Sequence, residues 1–328
     1  MKIGKLSVLS MLLALILAVV AGCGGGGGEK KDGAKPAAEK RFLNIATGGT
    51  AGTYYPLGGA MAEVFNKNIP GMNASAQSTG ATVANINMLK DGSVDMALVQ
   101  NDIIYYAANG LEMFKDKKVT TIKGIATLYP ETVQLVTLEK NNIKSIGELK
   151  GKRVAVGAAG SGAEANARQV LEAYGITYND ITAQYLSFGE AASALKDGNV
   201  DAAFVTAGYP TAAIQDIASQ NNVRLLPIDA DKADALIKKY PFYAKTVIPK
   251  GTYAGTPEDT PAMAVMAMLV VNEKVDEKLG YEITKALFSN LDRIQAAHSV
   301  GKQISKEKAK EGMPIDMNAG ADKFFKEK

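Results

Sequence analysis

Cysteine and histidine are nearly missing: Cys23 and His298 are the single copies of each in 328 residues. Disulfide frameworks need pairs and structural zinc needs four ligands, so both are excluded, as is a metal triad built on histidine. An excess of charge is missing as well. The formal net charge is +3, and Lys2 and Lys5 belong to an N-terminal segment read below as removed, so the 37 basic residues fall to 35 against 34 acidic ones. Such near-neutrality argues against nucleic acid as a partner. Beyond residue 41 no apolar run reaches the ~20 residues that cross a bilayer. What is present is 47% hydrophobic residues against 22% charged, enough for one large domain or two ordinary ones with real cores.

Lys2 and Lys5 precede an apolar stretch over residues 8–21, and the segment ends Val20-Ala21-Gly22-Cys23. A basic start, a short apolar core and small residues before a lone cysteine read as a lipoprotein signal peptide over residues 1–22, with Cys23 as the lipidated first residue. Residues 23–41 run through five glycines and then EKKDGAKPAAEK, without apolar periodicity. Such a stretch buries no core and acts as a flexible tether. The body is therefore expected at the extracytoplasmic face of the cell membrane, held there by its lipid.

An internal repeat organises that body. Residues 89–99 read LKDGSVDMALV and residues 195–205 read LKDGNVDAAFV, identical at eight of eleven positions. Each reads as a helix end, a turn at Gly92 or Gly198, and a short apolar strand. Upstream, residues 43–48 and 153–157 read as strands entering Gly-rich loops, each followed by an amphipathic helix. A further strand and loop follow in each copy, ending in Gln77-Ser78-Thr79-Gly80 and Leu186-Ser187-Phe188-Gly189. The alternation predicts two α/β lobes with parallel, doubly wound sheets whose loops line one cleft. Pro and Gly near Tyr129-Pro130 and across residues 248–261 mark the two expected crossings. Lobe I is then 42–130 with 261–328, and lobe II is 131–260. Residues 263–272 are expected to rejoin the first sheet, and helices over residues 276–297 to cover it.

Nucleotide and hydrolase chemistry fail on their motifs. Gly157 and Gly162 meet G-x-x-x-x-G, but Ala163-Glu164 stands where a P-loop needs Lys and Ser or Thr. Ser161 is flanked by Ala159 and Ala163, where a nucleophile elbow needs glycines. His298 lies near a predicted helix end, a common place for a structural imidazole. Asp95 and Asp201 read as turn residues. Enzyme function is disfavoured, and no cofactor or metal is called for. The loops instead suit a ligand carboxylate, held by backbone N–H groups and hydroxyls of Gly49, Thr50, Thr53 and Tyr54 and of Ser161, Gly162 and Ala163 at facing helix N-termini. Ser161 with Glu164 also satisfies a capping box. Gln77, Thr79, Gly80, Gln100 and Thr206 are the candidates for orienting the rest of the molecule, and Tyr54, Tyr55, Tyr129 and Tyr253 for adding hydroxyls and ring faces. None of the five arginines lies in these loops; Arg168, some two turns into the second helix, is the nearest competitor for a carboxylate.

Six segments carry a family resemblance: ATGGTAGTYYPLGG from Ala46, QSTGATVANINML from Gln77, DMALVQND from Asp95, GAAGSGAEANA from Gly157, VDAAFVTAGYP from Val200 and YPFYAKTVIPKGTYAG from Tyr240. Together they resemble the TAXI solute receptors of tripartite ATP-independent periplasmic (TRAP) transporters. The resemblance implies a two-lobed periplasmic-binding-protein-like fold of type II, with a hinge and a central cleft. It further implies a monomeric receptor that closes on a small organic acid or amino acid (a dicarboxylate, glutamate or a glutamine-like molecule) and delivers it to TRAP membrane subunits. Two positions depart from the family pattern: Ala163 stands where Thr often follows Gly-Ser-Gly, and Ala81 where a second Gly often follows Thr-Gly. Two other readings stay open, a ligand-presenting lipoprotein for a two-component sensor kinase and a secreted lipoprotein enzyme.

Overall fold

The computed structural model describes residues 40–327. The expected signal peptide, Cys23 and nearly all of the tether lie outside the described residues. Arg41, expected to end the tether, already belongs to the first strand and pairs with Glu282 at 2.7 Å.

The first repeat copy folds as β1 (Arg41–Ala46), α1 (Tyr54–Asn68), β2 (Met72–Gln77), α2 (Thr82–Asp91) and β3 (Met96–Gln100), followed by α3 (Asn101–Asn109). Its strands are parallel in the order β2-β1-β3. After β4 (Ile122–Leu138), the second copy gives β5 (Arg153–Ala155), α4 (Gly162–Ala173), β6 (Thr182–Gln184), α5 (Phe188–Lys196) and β7 (Ala202–Ala207), parallel in the order β6-β5-β7. The chain continues as α6 (Ala212–Gln220), β8 (Val223–Leu225), α7 (Ala230–Lys239), β9 (Ala244–Ile248) and β10 (Thr260–Asn272). It ends with α8 (Glu277–Phe288), α9 (Leu291–Ala297) and α10 (Ala319–Lys326).

The repeated sequence does the same work twice. Gly92 and Gly198 both adopt φ +74°, the left-handed turn that ends a helix. Asp95 Oδ2 accepts the N–H of Asn44 in β1 at 2.9 Å, and Asp201 Oδ2 accepts the N–H of Arg153 in β5 at 2.8 Å. Each aspartate thus clamps the strand that leads into a Gly-rich loop.

At Tyr129-Pro130 the crossing is continuous strand rather than a punctuated link, whereas residues 249–259 form the loop that joins β9 to β10, and the chain passes back along β10. β4 and β10 pair antiparallel from Ile122↔Asn272 to Met263↔Val133, while β10 also pairs with β3 and β4 with β7. One sheet results, in the order β2-β1-β3-β10-β4-β7-β5-β6. Pro130 lies inside β4 opposite Met266, where the register shifts. A proline without an N–H is tolerated at such an irregularity.

Alternate residues bury opposite faces. Met96 and Leu98 pack with Leu57, Met61 and Phe65 of α1 and with Ile283 and Leu287 of α8, whereas Ala97 and Val99 join Ile86, Leu89 and Ile103 on the other side. Each fully buried Leu or Ile contributes about 1.5–3 kcal/mol. Two covered faces make a doubly wound α/β sheet, as the alternation of elements predicts.

Candidate ligand-binding site

One cavity of about 50 Å³ lies where the ends of β1, β3 and β7 and the middle of β4 come together. Four helices begin at its wall: α1 at Tyr54, α2 at Thr82, α4 at Gly162 and α5 at Phe188. The first N–H groups of a helix have no intrahelical acceptor, and the aligned dipoles place roughly half a positive charge there. Four such ends around one cavity favour an anionic group.

The Gly-rich loops allow this approach. Gly157, at φ +103°, turns the chain beneath Ser161, whose hydroxyl accepts the Glu164 N–H at 3.1 Å and starts α4. Only half of the expected capping box forms, because the Glu164 carboxylate accepts instead from the Tyr178 hydroxyl at 2.7 Å. The complete box is at Ser187 and Glu190, opening α5. A side chain on Gly162 would overlap Gln100 Oε1, so the α4 end and the tip of β3 meet only through glycine.

The floor of the cavity has the opposite character. Glu131, on β4, is 2% exposed, and its Oε1 accepts from the Tyr129 hydroxyl at 3.4 Å. Burial pushes its carboxyl up to about 8; the negative charge of Asp102 adds to this, and the nearby Tyr54, Gln100 and Tyr129 groups offset part of it. Tyr54 Oη, Gln100 Oε1 and Thr206 Oγ1 are buried without a hydrogen-bond partner of good geometry. A buried polar group left unpaired costs about 1–3 kcal/mol, so three around one cavity are three sites for a ligand.

Of the residues singled out in the sequence, Gly49, Thr53, Tyr54, Gln100, Ser161, Gly162, Ala163 and Thr206 line this cavity. Thr50, Gln77, Thr79 and Gly80 do not. Thr50 is exposed, and Gly80 is half-buried beside Ala84 and Ala159. The Gln77 carbonyl accepts the Thr47 hydroxyl at 2.7 Å, and the Thr79 hydroxyl donates to Asn85 Oδ1 at 2.6 Å, so these two residues brace the loop. Tyr55 is exposed, and Tyr253 donates to Gln134 Oε1 at 2.5 Å away from the cavity. Arg168 pairs with Glu112 at 3.6 Å and is not at the wall. Sequence reasoning missed Glu131, Thr82 and Phe188. The signal for Glu131 was present: it is the one carboxylate in the 17-residue β4.

Polar contacts join the two ends of the sheet around the cavity. The Thr53 hydroxyl donates to the Gly208 carbonyl at 3.2 Å, and Ala213 N–H donates to the Ala51 carbonyl at 3.2 Å. His298 Nδ1 accepts from Val300 N–H, which leaves the proton on Nε2 to donate to the Pro210 carbonyl at 3.1 Å. Asn166 Nδ2 donates to Asp102 Oδ2 at 2.9 Å and to the Tyr243 hydroxyl at 2.7 Å, while its Oδ1 accepts from Gln100 Nε2 at 2.9 Å. Burial lifts the Asp102 carboxyl to about 6, with the Asn166 and Ile103 bonds restraining the rise.

The chain belongs to the NMT1-like family, whose model matches residues 45–328. Solved structures are similar to it in fold. A protein from Bordetella bronchiseptica RB50 is 16% identical over 87% of this chain and 97% of its own, with a TM-score of 0.54. PhnD1 from Prochlorococcus marinus (MIT 9301), solved in complex with methylphosphonate, is 12% identical over 80% of this chain and 88% of its own, with a TM-score of 0.50. The periplasmic aliphatic sulphonate binding protein SsuA from Escherichia coli is 19% identical over 88% and 83%, with a TM-score of 0.49.

Proposed function

We propose that the protein is a lipid-anchored, extracytoplasmic receptor that captures a small organic acid or amino acid and hands it to the membrane subunits of a TRAP transporter. The cavity carries this reading: four helix N-termini face buried polar atoms that lack partners, across a space of about 50 Å³. That space holds on the order of four waters, the scale of a small metabolite. The ligand contacts are Gly49, Thr53, Tyr54, Gln100, Ser161, Gly162, Ala163 and Thr206, joined by Glu131. Lobes 42–130 with 261–328, and 131–260, close on the ligand by bending β4 and β10 where the chain passes between them. Cys23 carries the lipid, and the TAXI-like segments point to TRAP partners.

Mass spectrometry of the small molecule that co-purifies with the protein supplies a ligand for an uptake assay in right-side-out vesicles bearing the receptor and its transporter. Uptake is expected to follow an imposed sodium or proton gradient and to survive ATP depletion. Uptake that requires ATP assigns an ATP-driven importer instead, and chemical conversion of the molecule by the purified protein removes the receptor reading.

A further inference from the structure

Behind the cavity wall, α3 meets α4 along a buried seam built from polar side chains. Asp102 and Tyr106, four residues apart, share one face of α3, and Asn166 and Gln169, three apart, share one face of α4. Gln100 at the tip of β3 and Tyr243, between α7 and β9, complete the set. All six are at most 5% exposed. An ionised Asp102 can only accept, so the Asn166 amide turns its nitrogen to that carboxylate and its oxygen to Gln100 Nε2. Its second N–H goes to the Tyr243 hydroxyl, which donates to Gln169 Oε1 at 2.7 Å, and Gln169 Nε2 donates to the Tyr106 hydroxyl at 3.4 Å. Phe242 lies against the Tyr105 ring with centroids 4.7 Å apart, and the Arg168–Glu112 pair closes the outer rim. Gln100, Asp102, Tyr105, Tyr106 and Glu112 fall in the lobe 42–130, whereas Asn166, Arg168, Gln169, Phe242 and Tyr243 fall in 131–260. Every one of these contacts except those among Asn166, Tyr243 and Gln169 crosses between the two. An apolar seam would hold the halves together with or without a ligand. Polar groups that pair when joined and are hydrated when parted carry little such bias, yet they fit in one register only.

We propose that Asn166 is a positioning residue: on closure it docks between Gln100 and Asp102 of the other lobe, fixes Gln100 with Oε1 at the cavity wall, and so ties retention of a bound molecule to closure without touching that molecule. The inference rests on the closing, two-lobed receptor proposed above and names the contact that couples its site to its motion. Gln100 is the one member of the six that lines the cavity. Its Oε1 faces the wall because its Nε2 is taken by Asn166, so one lobe completes an acceptor that belongs to the other. The coupling is reciprocal: a molecule that uses Gln100 Oε1 favours the docked seam, and the docked seam holds that molecule. The segment beginning at Tyr240, singled out in the sequence, supplies Phe242 and Tyr243 to the seam and no side chain to the cavity wall.

In a Cys23→Ser chain, Glu112→Cys and Arg168→Cys supply the only two thiols, one on each side of the rim, and a short bifunctional maleimide joins them when the seam is formed. The probe is the small molecule that co-purifies with the wild type, identified by mass spectrometry and added back after its removal. It is expected to speed cross-linking several-fold. Asn166→Leu keeps the approximate shape and removes the donors; with the probe present it should cross-link about tenfold more slowly. In stopped-flow tyrosine fluorescence it should release the probe about tenfold faster, with association changed by less than about twofold, because the open lobe is untouched. Asn166→Asp, which opposes two carboxylates, should behave likewise at pH 8. Adding Asp102→Asn to it sets one carboxylate against one amide again and should restore both rates, an outcome that general destabilisation does not give. A probe that speeds cross-linking equally in the wild type and in Asn166→Leu overturns the latch and leaves the receptor reading standing; one that leaves the wild-type rate unchanged overturns both. Unchanged release in Asn166→Leu, or an exchanged pair that melts as the wild type does and fails to restore release, also overturns the role of Asn166.

Discussion

At the scale of the residue, Ala81 shows what one methyl group does. It stands at φ +67°, ψ −148°, immediately before α2 and on the cavity wall. That backbone region is nearly reserved for glycine and costs another residue about 1–3 kcal/mol. The resemblance to TAXI receptors leads to the expectation of glycine at this position, but the strain becomes visible only with the dihedral angles. Ala81→Gly is expected to relieve the strain and to lose about 0.4–1 kcal/mol through the freer unfolded chain, for a net gain of about 1 kcal/mol. Thermal unfolding of the unliganded protein should show a melting temperature raised by ~2–4 °C. A lower melting temperature would mean that the surrounding loops favour alanine. Thr53 teaches the complementary lesson. Its place in a Gly-rich loop made it a candidate ligand hydroxyl, yet the hydroxyl is engaged with the Gly208 carbonyl, a partner 155 residues away that local sequence does not reveal.

At the scale of the element, the α/β order and the parallel strands could be read because the repeated LKDG-x-VD copies the same helix stop and strand clamp in each half. The continuity of β4 through the first crossing could not. A proline within an apolar run reads as a break, whereas Pro130 continues β4 because the neighbouring register shifts there. That misreading also hid Glu131, which follows it by one residue. Gln77 and Thr79, at the end of β2 and in the loop after it, do not line the cavity: the Gln77 carbonyl and the Thr79 hydroxyl bond within the loops they brace. How closely the elements approach is tested at Gly162, the first residue of α4. In Gly162→Ala the new methyl would occupy the position of Gln100 Oε1, forcing Gln100 to turn and to give up Asn166. Overpacking of this kind costs about 1–3 kcal/mol of stability. Ligand affinity should fall at least about tenfold, since one charge-assisted contact is worth roughly 1.5–3 kcal/mol. Calorimetry with the co-purifying ligand decides this, and unchanged affinity would remove Gln100 from the binding site.

At the scale of the whole molecule, the two ends of the sheet are joined across the cavity by groups whose protonation depends on burial. Asp102 and Glu131 are lifted to about 6 and about 8, whereas burial lowers His298 below its ordinary value. If the cleft opens by bending β4 and β10, as proposed, water reaches all three and each returns toward its usual range, near 4 for the carboxyls and 6.5 for the imidazole. The contacting state then binds protons on the carboxyls more tightly than the open state, so its carboxyl contribution is fully present below about 4 and is lost as pH rises through 6 and 8. His298 acts in the opposite direction, releasing a proton on closure, but only below about 6.5. Above that pH the carboxyls alone set the sign. Small-angle scattering of the unliganded protein should therefore show a radius of gyration that increases from pH 6.5 to pH 8.5. With the co-purifying ligand bound, its contacts to both halves of the cavity wall are expected to hold the closed state, and the radius should stay small across the same range. In Glu131→Gln without ligand the increase should be largely abolished, because the amide stays neutral at every pH. A radius in the unliganded wild type that is flat from pH 6.5 to 8.5 would show that closure and protonation of Glu131 are not linked.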